Sequence, residues 1–141
     1  MNTLRSHCHC GNLELTLETA LQPEVLPVRE CQCSFCRSHR VRASSDPHGS
    51  VRIRVRAPED LSRYRFGLRT ADFLVCKRCG NYLGAAMTTP DGRAYATANV
   101  NLFEAVQRFT QPAVVVSYEG ETEEQRRARR MASWTRVASF V

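Results

Sequence analysis

Short stretches in which apolar and polar residues alternate recur along the chain and predict β-strands. Residues 13–18 alternate leucine with polar side chains. Residues 51–56 place three aliphatic side chains on one face and three arginines on the other. Such alternation is typical of a strand that buries one face. Shorter patterns predict further strands at residues 25–30, 63–68, 73–75 and 113–118.

A turn signal in the second half of the chain predicts a β-hairpin. Residues 82–88 and 93–100 flank the sequence Pro90-Asp91-Gly92. Proline and glycine in so short a connection favour a tight turn between antiparallel strands. We therefore expect these two segments to pair with each other.

Only the C-terminal region is predicted as a helix. Thr122 and Gln125 have the spacing of a capping box, in which the threonine caps the helix and the glutamine bonds back to the cap. Met131, Trp134 and Val137 then recur at helical spacing. We expect these three side chains to form the stripe of the helix that faces the core.

Length and composition indicate one globular domain over residues 1–141, because 43% of the residues are hydrophobic and 24% are charged. The many short strands predict a mainly β fold, a two-sheet antiparallel sandwich or tent with a C-terminal helix. No secretory signal and no apolar run long enough to cross a membrane is recognised. We therefore expect a cytoplasmic protein that does not bind a membrane.

The seven cysteines are the unusual feature of the composition, and they fall into three groups. An odd number excludes complete pairing in internal disulfides. In the reducing cytosol, clustered cysteines more often bind metal or take part in chemistry than form disulfides. The groups are Cys8-His9-Cys10, Cys31-Gln32-Cys33-Ser34-Phe35-Cys36 and Cys76-Lys77-Arg78-Cys79-Gly80.

Two of the groups can together supply a four-thiolate metal site. Cys76 and Cys79 have the spacing of a zinc knuckle, and Gly80 permits the tight turn after the second ligand. Cys8 and Cys10 point the same way on an extended backbone. Two such pairs complete a tetrahedral site that ties the N-terminus to the middle of the chain.

The remaining cysteines, Cys31, Cys33 and Cys36, number three, which is the ligand count of a catalytic zinc with one open position. Three alternatives stay open at this point. His39 or His7 can complete a closed site, the thiols can form a reversible disulfide, or the group can share a metal with the knuckle. Spacing favours a metal over a disulfide, because a disulfide leaves one thiol unpaired.

The succession Cys-x-Cys, Cys-x-Cys-x-x-Cys and Cys-x-x-Cys-Gly resembles the glutathione-dependent formaldehyde-activating enzyme family, which includes centromere protein V. All seven cysteines match in order and spacing, over roughly residues 7–104. The resemblance implies a β fold with two zinc ions. It assigns the structural zinc to Cys8, Cys10, Cys76 and Cys79, and the catalytic zinc to Cys31, Cys33 and Cys36.

The resemblance also implies an activity, that of a carbon–sulfur lyase. The family's reaction joins glutathione to formaldehyde and gives S-hydroxymethylglutathione. The expected partners are thus a small-molecule thiol such as glutathione and a small aldehyde. Glutathione carries two carboxylates, and Arg37 and Arg40, the arginines nearest the third cysteine of the middle group, are the candidate anchors.

Charge supports a second hypothesis, a non-enzymatic binding module whose zinc is purely structural. The net charge is +6, and Lys77 is the only lysine among 20 basic residues. The arginines of residues 51–56 and 126–130 can form faces for an acidic partner or a nucleic acid. We rank nucleic acid below a small-molecule substrate, because no aromatic residues alternate with the arginines to stack on bases.

Overall fold

The computed structural model describes all 141 residues and contains eleven strands and two α-helices. The helices are α1 (Ser34–Ser38) and α2 (Glu123–Ser133). The strands are β1 (Asn2–His7), β2 (Leu13–Thr19), β3 (Arg29–Cys31), β4 (Ala43–Ser44), β5 (Ser50–Val55), β6 (Leu61–Tyr64), β7 (Asp72–Cys76), β8 (Tyr82–Thr88), β9 (Ala94–Asn99), β10 (Val114–Val116) and β11 (Thr135–Phe140).

All eleven strands belong to one connected sheet, and β9 is the strand that joins its parts. One edge of β9 pairs along its length with β8, as the hairpin signal predicts. Its other edge pairs first with β11, at Tyr95 and Ala96, and then with β4, at Ala98 and Asn99. Three series of strands therefore meet at β9: β1-β2-β5-β11, β4-β3-β10 and β8-β7-β6.

This connection differs from the two separate sheets that we expected. The fold is mainly β, as predicted, but β9 is hydrogen-bonded to strands of all three series and joins them into one sheet. Two pairs, β11 with β5 and β10 with β3, are parallel rather than antiparallel. The sequence patterns also missed β1, β4 and β11, which are short or lack a regular alternation.

The main core is formed by side chains from more than one of these series of strands. The leucines of β2 and the aliphatic residues of β5 are buried on one face, while the arginines of β5 are exposed, as the alternation predicts. Leu74 on β7 and Leu83 on β8 belong to the same buried cluster. The β1-β2-β5-β11 series and the β8-β7-β6 series thus bury apolar side chains in one core, and this burial stabilises the fold.

The predicted C-terminal helix is present, with both hydrogen bonds of the capping box between Thr122 and Gln125. It ends earlier than the spacing of apolar residues indicated. Trp134 caps the helix in an extended conformation and Val137 lies in β11, so these residues and Met131 do not form one helical stripe. Neither helix has the length and apolar composition needed to cross a bilayer.

Gly84 allows β8 and β9 to approach closely. A Cβ atom at this position would collide with the backbone carbonyl oxygen of Thr97 on β9. We expect Gly84→Ala to lower the free energy of unfolding by about 1–3 kcal/mol, because the strands must separate to admit the methyl group. Chemical denaturation measures the change. Thr88→Ala, at an exposed position of the same strand, is the control, and equal stabilities of the two variants would refute this prediction.

Candidate metal centres and the adjoining cavity

The loop after β1 and the end of β7, with the turn that follows it, bring four thiols together. The sulfurs of Cys8, Cys10, Cys76 and Cys79 all lie within 4.8 Å of one another. The Sγ atom of Cys10 is 3.8 Å from that of Cys8 and 3.5 Å from that of Cys76. The pairing expected from sequence spacing is therefore the one that the structure contains.

Backbone geometry holds the two loops against each other. Gly11 and Gly80 both have positive φ angles, near 83° and 79°, which glycine adopts without strain. The side-chain oxygen of Asn81 accepts a 2.7 Å hydrogen bond from the backbone N–H of His9. The backbone N–H of Leu13 points to the sulfur of Cys8 at 3.3 Å. These contacts orient the thiols toward a common centre.

The arrangement fits a tetrahedrally coordinated metal ion. A zinc ion binds thiolates at about 2.3 Å, and a tetrahedron of that size separates the sulfurs by about 3.8 Å. The two separations given above agree with this value. Burial raises the pKa of the Cys8 thiol to about 12, so the sulfurs need a cation if all four are to be thiolates. The donor set therefore suits a closed, structural metal site.

A second group of three thiols is formed where β3 leads into α1. The sulfurs of Cys31, Cys33 and Cys36 lie within 4.8 Å of one another, apart from the first group. Cys31 ends the strand and Cys33 caps the helix, its sulfur accepting a 3.4 Å hydrogen bond from the backbone N–H of Cys36. A strand end followed by one helical turn thus converts this local spacing into a cluster.

This geometry decides between some of the alternatives that sequence spacing left open for the middle group. All seven cysteines are free thiols, and no cysteine of the middle group joins the knuckle. Neither His7 nor His39 belongs to the group of three donors. The ring of His39 stacks on Phe35 with the centroids 4.4 Å apart, and Nδ1 of His7 lies 2.9 Å from the carbonyl oxygen of Cys8. The middle group therefore has three protein donors.

The three neighbouring thiols differ in acidity. Interactions with the Cys31 and Cys36 thiols lower the pKa of the Cys33 thiol far below its usual range. Interactions with the Cys31 and Cys33 thiols, together with burial, raise the pKa of Cys36. Without a metal the group therefore carries its negative charge mainly on one sulfur, and binding of a cation must displace the remaining protons.

A cavity of about 400 Å³ opens beside the middle group. This volume is within the range of small-molecule sites. All three thiols line it, together with Phe66, Phe73, Tyr82 and Trp134 on its apolar side. Burial raises the pKa of the Tyr82 hydroxyl, as does the negative charge of the neighbouring thiolates. The hydroxyl stays protonated at neutral pH and can donate a hydrogen bond.

The structure places the two sequence-predicted arginines differently. Arg37, on α1, lines the cavity. Arg40 is exposed and is not among the lining residues, and its carbonyl oxygen accepts a hydrogen bond from the side chain of Asn101. It has a positive φ of 51° just after α1 ends, and the chain then returns to the cavity at Val41, whose backbone N–H donates a 3.0 Å hydrogen bond to the carbonyl oxygen of Cys36.

Four lining arginines were not singled out as site residues: Arg29, Arg126, Arg129 and Arg130. Three of them come from the arginine run of α2, at the helical spacing that places them on one face. Arg127 lies outside the cavity and pairs with Glu123 at 3.4 Å. The sequence spacing could have indicated which arginines share a face, because positions i, i+3 and i+4 lie together on a helix and Arg127 has none of these positions.

Of the two arginine faces in the binding-module hypothesis, only that on β5 is directed outward. The exposed arginines are Arg52 and Arg54 on β5 and Arg56 just after it. The carboxylate of Glu14, on β2, lies 4.0 Å from Nη1 of Arg54 and 3.8 Å from Nη2 of Arg56. The arginine run of α2 instead contributes most of its side chains to the cavity beside the thiols.

Comparisons with known proteins concern the fold. No protein-family model matches the chain, and no curated protein matches it. A crystal structure of a Rhodobacter sphaeroides protein, a structural genomics target, is similar, with a TM-score of 0.59 and 29% sequence identity. The similarity covers 79% of this chain and 99% of that chain. It supports the β architecture, and the function has to be inferred from the site.

The two thiol groups lead to different expectations for a matched pair of variants. Cys79→Ser and Cys31→Ser each remove one half-buried ligand. We expect each variant to lose about one metal ion per chain. Cys79→Ser should also lower the free energy of unfolding by several kcal/mol more, because its group joins residues 66 positions apart in sequence. Elemental analysis and thermal unfolding measure these effects, and full retention of metal by either variant would exclude that site.

Proposed function

We propose that this protein is a zinc-dependent carbon–sulfur lyase or synthase of the glutathione-dependent formaldehyde-activating type. Its substrates would be a small-molecule thiol such as glutathione and a small aldehyde such as formaldehyde. The observation that carries the proposal is the group of three thiols, without a fourth protein donor, lining a cavity of small-molecule size. A closed group of four thiols lies elsewhere in the fold and leaves the open group free for chemistry.

Zinc is the metal that suits these donors. Both groups consist of cysteine sulfurs alone, and sulfur donors favour zinc over calcium, magnesium or manganese. The catalytic ion would be held by Cys31, Cys33 and Cys36, and the structural ion by the other four cysteines. When bound at the open group, zinc favours the thiolate form of a thiol at neutral pH and polarises a carbonyl group. Thiol-only sites also require a reducing compartment, so we propose that the protein acts in the cytoplasm.

The proposed reaction is addition of a thiol to an aldehyde. The sulfur forms a bond to the carbonyl carbon, the carbonyl π bond breaks, and the proton of the thiol ends on the carbonyl oxygen. The product is a hydroxymethyl thioether, and the reverse reaction returns both substrates. No oxidant or reductant is needed. The chain must bring the two molecules together in a fixed orientation and assist this proton transfer.

Residues of the cavity can perform these tasks. The aromatic side chains of Phe66, Phe73 and Trp134 exclude water from one side. The hydroxyl of Tyr82 is protonated and can donate a hydrogen bond to the developing alkoxide oxygen. Arginines on the cavity wall can bind a carboxylate of the thiol substrate and so fix its position.

The binding-module hypothesis is the second candidate. The exposed arginines of β5 support it, but the enzyme hypothesis also accounts for the cavity and for the arginines of α2. Binding of DNA or RNA that weakens steeply with salt, and that disappears when Arg52 and Arg54 are replaced, would favour the second candidate.

NMR exchange spectroscopy of glutathione with formaldehyde tests the proposed reaction. With the zinc-loaded protein, we expect the exchange rate between the free aldehyde and its adduct to rise in proportion to protein concentration. Cys31→Ser should return the rate to its uncatalysed value. Arg108→Gln, an exposed arginine paired with Glu24, is the control and should retain full activity. An uncatalysed rate with fully metallated wild-type protein would contradict this choice of substrates.

A further inference from the structure

Two arginines of the cavity wall, Arg130, which is buried, and Arg29, which is half-buried, have no carboxylate partner. Arg130 is only 7% exposed. Its Nη1 donates a 2.7 Å hydrogen bond to the hydroxyl of Thr70, and its Nε is buried without a partner. Arg29 donates a 2.6 Å hydrogen bond to Ser45, and neither arginine forms an ion pair. Both contacts hold a guanidinium group in place without neutralising it.

The neighbouring arginines Arg126 and Arg129 share one carboxylate. Glu121 pairs with Arg126 at 3.2 Å and with Arg129 at 2.8 Å. Glu119 supplies the one carboxylate that lines the cavity itself, but it is exposed and pairs with none of these arginines. No carboxylate of the wall therefore pairs with Arg29 or Arg130.

A buried, unpaired charge is costly, because the surroundings do not replace the water it has lost. Burial lowers the pKa of Arg130 to about 10, with the charges of Arg129 and Arg126 adding to the effect. The ring of Trp134, with its centroid 4.7 Å from the guanidinium carbon, supplies only a weak compensation. Such a group in a cavity is expected where a ligand, rather than the protein, supplies the opposite charge.

The nature of the wall favours a carboxylate. Of the 24 residues that line the cavity, 13 are hydrophobic. A singly charged carboxylate loses less hydration energy on entering such a site than a doubly charged phosphate does. The planar fork of a guanidinium group also matches the two oxygens of a carboxylate.

We propose that Arg29 and Arg130 form a carboxylate-binding subsite in the cavity that contains Cys31, Cys33 and Cys36. The subsite selects small ligands with a carboxylate over neutral ligands of the same shape. That the preferred ligand is also a thiol rests on the function proposed above. The carboxylate preference itself does not depend on that function.

Two matched pairs of probes test the preference for a carboxylate separately from the preference for a thiol. The first pair is 3-(methylthio)propionate and its amide, which differ in charge and have no thiol. The second pair is 3-mercaptopropionate and its amide. Isothermal titration calorimetry with the metallated protein, in a buffer free of carboxylates, should show the acid binding at least about tenfold more tightly than the amide in both pairs. Inorganic phosphate is the third probe and should bind more weakly than either acid.

Variants assign the preference to the named residues. Arg130→Gln should remove the preference for the acid, and Arg29→Gln should reduce it. Arg127→Gln replaces an arginine of the same helix that lies outside the cavity, and it should keep the wild-type preference. If Arg130→Gln does not fold, Arg130→Lys replaces it, and loss of the planar fork should weaken binding of the acid.

The possible outcomes are distinct. Equal binding of acid and amide by the wild-type protein, or an unchanged preference in Arg29→Gln and in the folded Arg130 variant, would overturn the proposal. Tighter binding of phosphate than of the acids would also overturn it, in favour of a phosphate site. A preference in the thioether pair without catalysis of thiol addition would support the subsite and reject the proposed function.

Discussion

Hydrogen bonding on both edges of β9 is the constraint on which the site depends. β8 occupies one edge and carries Tyr82, while β11 and β4 share the other edge. β4 pairs with β3, which ends at Cys31, and β11 follows directly after α2. A single central strand therefore brings the thiols of the middle group, the arginines of α2 and the aromatic wall to one cavity, although they are far apart in sequence.

The two thiol groups differ in how the chain builds them, and this difference suits their separate roles. One group joins two loops that are distant in sequence, so a bound cation stabilises the fold by closing a long segment. The other arises from one strand end and one short helix, and its geometry depends little on the rest of the chain. Its environment, in contrast, is supplied by the rest of the chain, including Arg29 and Arg130.

The arginines show why local sequence was a poor guide to charge. A run with four arginines among five residues is usually a solvated helix face, yet here its members at i, i+3 and i+4 face a cavity. Glu121, just before the helix, pairs with both Arg126 and Arg129. Arg130 is left with Trp134, the residue that follows α2, and Thr70, in the loop before β7, as its neighbours. The contact with Thr70 joins residues 60 positions apart, so local sequence does not indicate it.

Local patterns in the sequence were sufficient to predict the three groups of cysteines, the one-sided burial of β2 and β5, the hairpin of β8 and β9, and the start of α2. Each depends on spacing within a few residues, where backbone geometry alone sets the direction of side chains. The three-dimensional structure was needed to show that the strands form one sheet, that Arg40 lies outside the cavity and that Arg130 is buried within it. Those outcomes depend on pairing between distant segments, which local patterns do not specify.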